Sequence, residues 1–228
     1  GIGLMGLPMA KNLLKAKYEI KAFNRTIKKA EPLREFGAEI SQSIKEVVSN
    51  NDIIITMLTD DTSVDQVMKD ESFLDNIKPG STVIDMSSVK PETAKFHGEN
   101  LKSKNVNYLD APVSGGTVGA EEATLAIMVG GEQKVFDDNI DVLKVMGNPT
   151  LVGPLTSGQV SKLANQIIVS LTIGAVAEAV TLCEKAGADP KKMIKALSGG
   201  WADSKILQTH GHRMIDKDFT PKGRTSVH

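Results

Sequence analysis

The chain has 228 residues, a length that fits one large domain or two smaller ones. Hydrophobic residues make up 40% of it and charged residues 24%, proportions that exclude disordered and collagen-like chains. Lysines and arginines number 27 against 28 aspartates and glutamates, and this balance of charge excludes the basic surface that nucleic acid or an anionic membrane would need.

Residues 1 to about 153 alternate short apolar runs with longer amphipathic ones, a pattern typical of parallel strands joined by helices. The run Ile53-Ile54-Ile55 is apolar on both faces, as expected where helices cover both sides of a sheet. The predicted strands are 19–23, 52–58, 82–86, 106–109, 125–129 and 150–152, and the predicted helices are 8–16, 28–36, 44–49, 63–68, 91–103 and 133–145.

After Gly158 the pattern indicates helices only. Residues 159–186 lack proline and are apolar nearly all the way round, which predicts a helix of about 28 residues, roughly 42 Å long. Its uncharged part, 163–177, is shorter than a membrane span, so we expect a buried helix and no membrane partner. A helix this apolar needs other helices or a second subunit to cover it, and we therefore expect a homodimer or homotetramer.

The expected fold is α/β. A Rossmann-like, doubly wound and mainly parallel sheet is predicted in residues 1–156, followed by an all-α domain in residues 157–228. Gly1 would need a preceding strand to reach the carboxyl edge of that sheet. We therefore expect a segment of a longer protein, with a truncated first strand and missing C-terminal helices.

The first motif is Gly1-Ile2-Gly3-Leu4-Met5-Gly6, which matches the G-x-G-x-x-G pattern before a helix. In a βαβ unit these glycines permit a tight turn and let the backbone approach a pyrophosphate, which the free amides of the helix attract. The predicted cofactor residues are therefore Gly1, Gly3, Leu4, Met5 and Gly6. A glycine-rich turn without a ligand is the alternative.

The second predicted strand is followed by Asn24, Arg25 and Thr26, where the dinucleotide fingerprint has its ribose-reading group. A carboxylate at this point binds the ribose 2′-hydroxyl of NAD, whereas an arginine attracts the 2′-phosphate of NADP. The sequence therefore favours NADP, with NAD as the second choice. The alternative is that Arg25 is an ordinary solvated side chain.

A third motif, Asp110-Ala111-Pro112-Val113-Ser114-Gly115-Gly116, follows another predicted strand. Consecutive amides in a Ser-Gly-Gly turn can form a concave anion site that suits a small carboxylate. A plain loop explains the two glycines equally well.

The fourth motif lies at the start of the long predicted helix, where Lys162, Asn165 and Gln166 are spaced i, i+3 and i+4 and share one face. A lone lysine on an apolar helix can simply extend to solvent. Directly after a dinucleotide domain, however, a lysine with an amide neighbour indicates a proton donor beside a hydride acceptor.

These four motifs together resemble the β-hydroxyacid dehydrogenase family over essentially the whole chain. Residues 162–166, 85–88 and 196–204 look most like the tartronate semialdehyde (2-hydroxy-3-oxopropionate) reductases within it. The resemblance implies that Lys162 is the catalytic lysine and that Asn165 holds the substrate. It also implies that the substrate carboxylate is bound by Ser114, Gly115 and Gly116, and that Ser88 lies along the cofactor; the predicted cofactor site further includes Met57 and Leu58.

The resulting hypothesis is reversible hydride transfer between NADP(H) or NAD(H) and a small semialdehyde or β-hydroxyacid. Two enzymatic alternatives are a 3-hydroxyisobutyrate dehydrogenase and a glyoxylate or succinic semialdehyde reductase. A non-catalytic nucleotide-binding protein is the alternative of another class, and the presence of Lys162 argues against it. The single cysteine, Cys183, excludes an intramolecular disulfide and belongs to no Cys/His cluster, so we expect no metal site and a cytoplasmic setting.

Overall fold

The computed structural model describes residues 1–220, and their contacts divide at Lys162 and Leu163 into two units. The last eight residues of the predicted second domain, 221–228, lie outside the described residues.

The strands of the first unit are β1 (Lys21–Ala22), β2 (Glu39–Ile40), β3 (Ile53–Thr56), β4 (Thr82–Asp85), β5 (Asn107–Asp110), β6 (Val113–Ser114), β7 (Leu125–Gly130) and β8 (Gly147–Gly153). Six of them form a mixed sheet in the order β3-β4-β5-β7-β6, with β8 beside β7. Strands β3, β4 and β5 are parallel, β7 is antiparallel to β5 and β6, and β8 is parallel to β7.

This architecture confirms the expected Rossmann-like, mainly parallel α/β fold, and each of the six predicted strands is present. The sequence pattern did not predict β2 and β6, which are each two residues long. Strands β1 and β2 pair with each other in a separate parallel sheet. The register aligns Thr56 with Asp85 and Asp85 with Asp110, so three polar side chains end neighbouring strands at one edge.

Helices separate the strands, as predicted. Serine and aspartate residues begin several of them by accepting a hydrogen bond from a first-turn amide, as Asp60 does from Ser63. The helices of this unit are α1 (Gly6–Lys15), α2 (Ile44–Val48), α3 (Asp61–Met68), α4 (Glu71–Leu74), α5 (Pro91–Ser103), α6 (Gly116–Glu121) and α7 (Gln133–Lys144).

The prediction of one helix over 28–36 is wrong. Two 3₁₀ helices, Ile27–Lys29 and Glu31–Phe36, occupy this segment instead. Pro32 is the physical reason, because it lacks an amide donor and disfavours the α conformation of the residue before it. The α-helical period of the segment was therefore misleading.

Two apolar clusters hold the sheet between its helical layers. One contains Ile84, Leu109 and Leu125 with residues of α1 and α7, and the other contains Val83 and Phe73 with residues of α3 and α5. Strand β4 is buried along its whole length, with Val83 and Ile84 packed into the two clusters and the polar Thr82 and Asp85 at its ends.

Helix α8 (Ser157–Lys185) begins in the first unit and continues into the second, where α9 (Pro190–Leu197), a π-helical turn (Leu207–Gly211) and α10 (His212–Ile215) follow. A small cluster of Val176, Val180, Ile194 and Leu207 forms the buried part of this unit. The all-helical character of this segment agrees with the prediction for residues up to 220.

The expectation that α8 is buried is wrong for the part of the chain that the structure describes. Only 11% of the most apolar stretch of this helix is buried. By length and composition alone, the helix could cross a membrane. Ile167, Ile168 and Leu171 are each more than 60% exposed. Helix α9 and the π-helical turn supply only the few side chains that contact Val176 and Val180, so they cover one face of α8.

Candidate active site

A cavity of about 370 Å³ lies in the first unit beside the glycine turn, a volume within the range of small-ligand sites. The end of β3 and the loop after β1 form its other walls. Eight of the predicted cofactor residues line it, namely Gly1, Gly3, Gly6, Asn24, Arg25, Thr26, Met57 and Leu58. The cavity extends between β1 and β3, where Ile20, Ile53 and Ile55 make it apolar.

The glycine turn is packed on one side and open on the other. A side chain at Gly1 would come within 2.6 Å of the carbonyl oxygen of Met57, whereas a side chain at Gly3 would have no atom within 4 Å. Met5, which precedes α1, offers no side-chain acceptor to the first-turn amides. Leu4 is 66% exposed, and neither Leu4 nor Met5 lines the cavity. These two residues could therefore contribute backbone amides to a bound pyrophosphate.

Asn24 connects the glycine turn to the loop after β1. Its Oδ1 accepts a hydrogen bond of 2.9 Å from the amide of Ile2, and its Nδ2 donates one of 3.0 Å to the carbonyl of Thr26. The side chain of Arg25 is exposed at the wall of the cavity. Asn24 therefore stabilises the contact between the glycine turn and this loop, whereas the side chain of Arg25 is available to contact a ligand.

Strands β3 and β4 end together beside this cavity. The Oγ of Ser87 accepts a hydrogen bond of 2.9 Å from the amide of Leu58 and so joins the two strand ends. Ser88 is half-buried and lies outside the residues that line the cavity. The predicted cofactor residues therefore form one group except for Leu4, Met5 and Ser88.

Asp85 is fully buried in the centre of the sheet edge. Its Oδ1 accepts hydrogen bonds from Thr56 Oγ1 at 2.8 Å and from the Ser87 amide at 3.0 Å, and its Oδ2 accepts one from the Tyr108 hydroxyl at 3.3 Å. Burial raises the pKa of Asp85, and burial together with the neighbouring carboxylates raises the pKa of Tyr108. This network fixes the strand ends on which the cavity stands.

Lys162 lies one turn into α8, and its side chain reaches back to the sheet. Its Nζ donates a hydrogen bond of 2.8 Å to the carbonyl oxygen of Val113, the residue before Ser114. Burial lowers the pKa of Lys162 from its ordinary value of 10.5. The structure therefore brings the predicted lysine and the predicted carboxylate turn together, and this lysine does not simply extend into solvent.

The predicted carboxylate turn is the junction between β6 and α6. Gly115 and Gly116 have φ angles of +143° and +62°, conformations that side chains rarely adopt. A side chain at Gly116 would have no atom within 4 Å, so the backbone is open to a small anion there. Gly116 is the first residue of α6.

Asn165 belongs to the second unit, where its Nδ2 donates a hydrogen bond of 2.9 Å to Gln166 Oε1. Its amide group is therefore oriented by the next residue along the helix.

Two buried polar residues beside the site were absent from the predicted set, although Asp110 stands in the third motif and Gln159 begins the long predicted helix. Asp110 accepts hydrogen bonds from the amides of Thr156 and Gln159, and the Gln159 side chain contacts the backbone on both sides of Ser88. Helical spacing offered a signal for Gln159, which lies three residues before Lys162. Nothing in the sequence pattern links residue 110 to residue 156.

Comparison with known proteins gives two family matches. Residues 1–160 match the NAD binding domain of 6-phosphogluconate dehydrogenase, and residues 156–228 match the NAD-binding part of NADP-dependent 3-hydroxyisobutyrate dehydrogenase. The 2-hydroxy-3-oxopropionate reductase of Escherichia coli (strain K12) is 42% identical over 231 residues, covering 100% of this chain and 78% of that protein. The probable 3-hydroxyisobutyrate dehydrogenase-like 1 of Arabidopsis thaliana mitochondria is 34% identical, covering 97% of this chain and 67% of that protein.

Among solved structures, the 3-hydroxyisobutyrate dehydrogenase of Mycobacterium tuberculosis with L-serine is similar at a TM-score of 0.85 and 30% identity. That similarity covers 92% of this chain and 72% of the other. The fold is also that of Psf3 in complex with NADP+ and 2-OPP, at a TM-score of 0.88 and 22% identity over 95% of this chain and 78% of that chain.

Proposed function

Because the chain belongs to the β-hydroxyacid dehydrogenase family, which includes the 3-hydroxyisobutyrate dehydrogenases, it is an NAD(P)-dependent oxidoreductase, and we propose that it reduces a short semialdehyde acid with NADPH. The substrate that we favour is 2-hydroxy-3-oxopropionate, since a relative 42% identical across the whole chain is named for its reduction. The observation that carries the proposal is the hydrogen bond of 2.8 Å between Lys162 and the carbonyl beside the Ser114 turn.

The residues of the first unit fit a dinucleotide. Gly3 leaves open the space that a side chain would fill, and the first-turn amides of α1 have no side-chain cap. We therefore assign the pyrophosphate to residues 1–6 and the adenosine ribose to Asn24, Arg25 and Thr26. Met57, Leu58 and Ser88 are assigned to the rest of the cofactor. When bound, the nicotinamide supplies the hydride that reduces the carbonyl carbon of the substrate.

Lys162 is the proton donor in this proposal. As hydride reaches the carbonyl carbon, the carbonyl oxygen gains negative charge and takes a proton from the ammonium group of Lys162. Burial lowers the pKa of Lys162, which makes that proton easier to release at neutral pH. Reduction requires the protonated lysine, so the rate of reduction falls as the pH rises through this lowered pKa.

The substrate is oriented by its carboxylate. We assign this group to the Ser114 hydroxyl and to the backbone of Gly115 and Gly116, both of which have positive φ angles and of which Gly116 lies beside open space. A carboxylate held next to Val113 would present the adjacent carbonyl to Lys162. Asn165 is proposed to bind the substrate as well.

NADPH is the proposed cofactor because Arg25 is exposed at the cavity wall, where it can meet a 2′-phosphate, and because no carboxylate stands at that position to bind a 2′-hydroxyl. The proposed setting is the cytoplasm, in keeping with the free Cys183.

A second candidate substrate is 3-hydroxyisobutyrate with its semialdehyde. The observation in its favour is the similarity, at 30% identity, to the structure of the 3-hydroxyisobutyrate dehydrogenase with L-serine. The same lysine and the same carboxylate turn would serve either reaction.

The deciding experiment measures kcat/KM for 2-hydroxy-3-oxopropionate, methylmalonate semialdehyde, succinic semialdehyde and glyoxylate, each with NADPH and with NADH. We expect the highest value for 2-hydroxy-3-oxopropionate with NADPH. A higher value for methylmalonate semialdehyde would transfer the assignment to the second candidate. If the chain binds NADPH but reduces none of the four, the proposed function is wrong.

A further inference from the structure

Asp110 ends β5 with a buried carboxylate that takes no part in the proposed hydride or proton transfer. Its Oδ1 accepts a hydrogen bond of 2.8 Å from the amide of Thr156, and its Oδ2 accepts one of 2.8 Å from the amide of Gln159. One side chain from a strand 46 residues earlier in the chain therefore binds the amide of Thr156, which directly precedes α8, and the amide of Gln159 in the first turn of α8. A local cap residue would usually perform this task.

The backbone at the start of α8 is also strained. Thr156 has a φ of +84°, in the left-handed region that residues other than glycine seldom adopt. Such a conformation costs free energy and persists only where the surroundings enforce it. The Thr156 amide is held by its hydrogen bond to Asp110, and the Thr156 carbonyl accepts a hydrogen bond from the amide of Val160.

The helix start has no room to shift against the sheet. A side chain at Gly158 would lie 2.8 Å from Asp110 Oδ2, and one at Gly130 would lie 2.9 Å from the amide of Ser157. These two glycines permit the close approach between α8 and the strand ends, so the position of the helix depends on the contacts made there.

Gln159 joins the same helix start to the predicted cofactor residues. Its Nε2 donates a hydrogen bond of 2.9 Å to the carbonyl of Ser87, and its Oε1 accepts one of 3.1 Å from the amide of Val89. Both contacts flank Ser88. The amide of Gln159 and its side chain therefore connect Asp110, α8 and the β4 end.

Lys162 follows Gln159 by three residues, which is nearly one helical turn. Its Nζ contacts the carbonyl of Val113, which itself lies three residues after Asp110. Any displacement of the α8 start from Asp110 would therefore move the lysine relative to the carboxylate turn.

We propose that Asp110 is a positioning residue, which holds the start of α8 so that Lys162 stays directed at the carboxylate turn. This inference rests on the proposed function and deepens it, because it identifies what orients the proton donor. The substitution Asp110→Asn tests it, since an amide retains the shape of the carboxylate but can accept from only one of the two backbone amides.

Asp110→Asn is expected to lower kcat about 10²-fold, the cost of moving a reacting group by about 1 Å, and to leave the dissociation constant of NADPH within twofold. Asp85→Asn is the matched control, because Asp85 is equally buried at the same sheet edge and its hydrogen bonds do not involve α8. Amide exchange across residues 156–160 should accelerate in Asp110→Asn and stay unchanged in Asp85→Asn.

The pH profile supplies a readout that needs no variant. Burial raises the pKa of Asp110 to about 6, and Asp85 and Tyr108 are the titratable groups that face it. Below pH 6 the protonated carboxyl loses one acceptor, so wild-type kcat should fall there. This acid limb should move to lower pH in Asp85→Asn, because the Asp85 carboxylate contributes to the raised pKa of Asp110, and it should disappear in Asp110→Asn.

Two further measurements keep the test decisive. If Asp110→Asn does not fold, the double variant Asp110→Asn with Thr156→Gly replaces it, because glycine adopts the φ of +84° without strain and should recover part of the lost kcat. If wild type reduces no semialdehyde, the Cε chemical shift of Lys162 is titrated instead. Its pKa should then move upward in Asp110→Asn as the lysine loses its buried position.

The inference is overturned if Asp110→Asn retains wild-type kcat, exchange rates and Lys162 pKa, or if Asp85→Asn reproduces all of its effects. A wild type that is inactive toward every aldehyde, with a Lys162 pKa that still responds to Asp110→Asn, would overturn the proposed function and leave the positioning role standing.

Discussion

Leu109 and Leu171 stand in segments that the sequence pattern predicts to be buried, yet they have opposite surroundings. Leu109 in β5 is fully buried among side chains of its own unit, whereas Leu171 in α8 is 69% exposed. The first unit thus covers its apolar residues with helices that lie on both faces of its sheet. Within residues 163–220, the second unit has most of the long apolar helix α8 and only short helical segments after it. An apolar sequence pattern therefore predicts that a surface tends to be buried, but it does not identify the segment or subunit that buries it.

The largest difference between the two units is expected for the two lysines of α8, since Lys162 belongs to the first unit and Lys185 to the second. Lys162→Ala should lower kcat by about 10² to 10⁴, the usual contribution of a positioned acid, with NADPH affinity unchanged. Lys162→Arg should fail as well, since a guanidinium cannot release a proton at neutral pH. Steady-state kinetics with the favoured semialdehyde and fluorescence titration with NADPH provide the measurement.

Lys185→Ala is the control on the same helix and should retain wild-type kcat. Near-normal turnover in Lys162→Ala would contradict the proposed proton donor.

The two leucines test the comparison directly through stability. Leu109→Ala should lower the free energy of unfolding by about 2 to 5 kcal/mol, because it opens a cavity in a filled core. Leu171→Ala should change it by no more than about 0.5 kcal/mol, as for other exposed positions. Urea denaturation of both variants at several protein concentrations measures the difference.

A loss in Leu171→Ala that grows with protein concentration would favour the predicted homo-oligomer, with α8 covered by a second copy. A large loss that does not depend on concentration would break the comparison.

Arg25 tests whether an exposed side chain of the first unit has a ligand. Arg25→Ala should weaken NADPH binding by about 1.5 to 3 kcal/mol, the range for hydrogen bonds to charged groups, and leave NADH binding nearly unchanged. Arg34→Ala is the matched control, since Arg34 is also exposed and pairs with Glu31. Equal losses for both cofactors in Arg25→Ala would remove the proposed 2′-phosphate contact.

Replacing a helix-capping aspartate should have a small effect on stability, and the effect should be the same in both units. Asp189 begins α9 by accepting from the amide of Lys191 at 2.9 Å, and Asp70 begins α4 by accepting from Ser72 at 2.7 Å. Alanine at either position should cost about 1 kcal/mol, because a cap depends on local geometry alone. Thermal unfolding of the two variants measures this, and a difference above about 1 kcal/mol would indicate that the units differ even in local terms.

Local chemistry made much of the first unit predictable. Ile53 to Ile55 identified a strand, although only Ile54 is buried there while Ile53 and Ile55 are half-buried at the cavity, and Pro91 marked the first residue of α5. Pro32 shows the limit, since one missing donor converted a helical pattern into two 3₁₀ turns. At the site, the sequence identified the lysine and the turn that it contacts. It could not identify the role of Asp110, because that role depends on a contact between segments 46 residues apart.

The double hydrogen bond of Asn24 has a consequence for redesigning the cofactor preference. An aspartate there would still accept from the amide of Ile2, but it would lose the donor to Thr26 and direct a carboxylate at a carbonyl oxygen. The substitution Asn24→Asp, intended to change the preference from NADPH to NADH, would therefore destabilise the loop after β1. A substitution at residue 25 would change the cofactor preference at a smaller cost in stability, because the side chain of Arg25 is exposed and does not support the glycine turn.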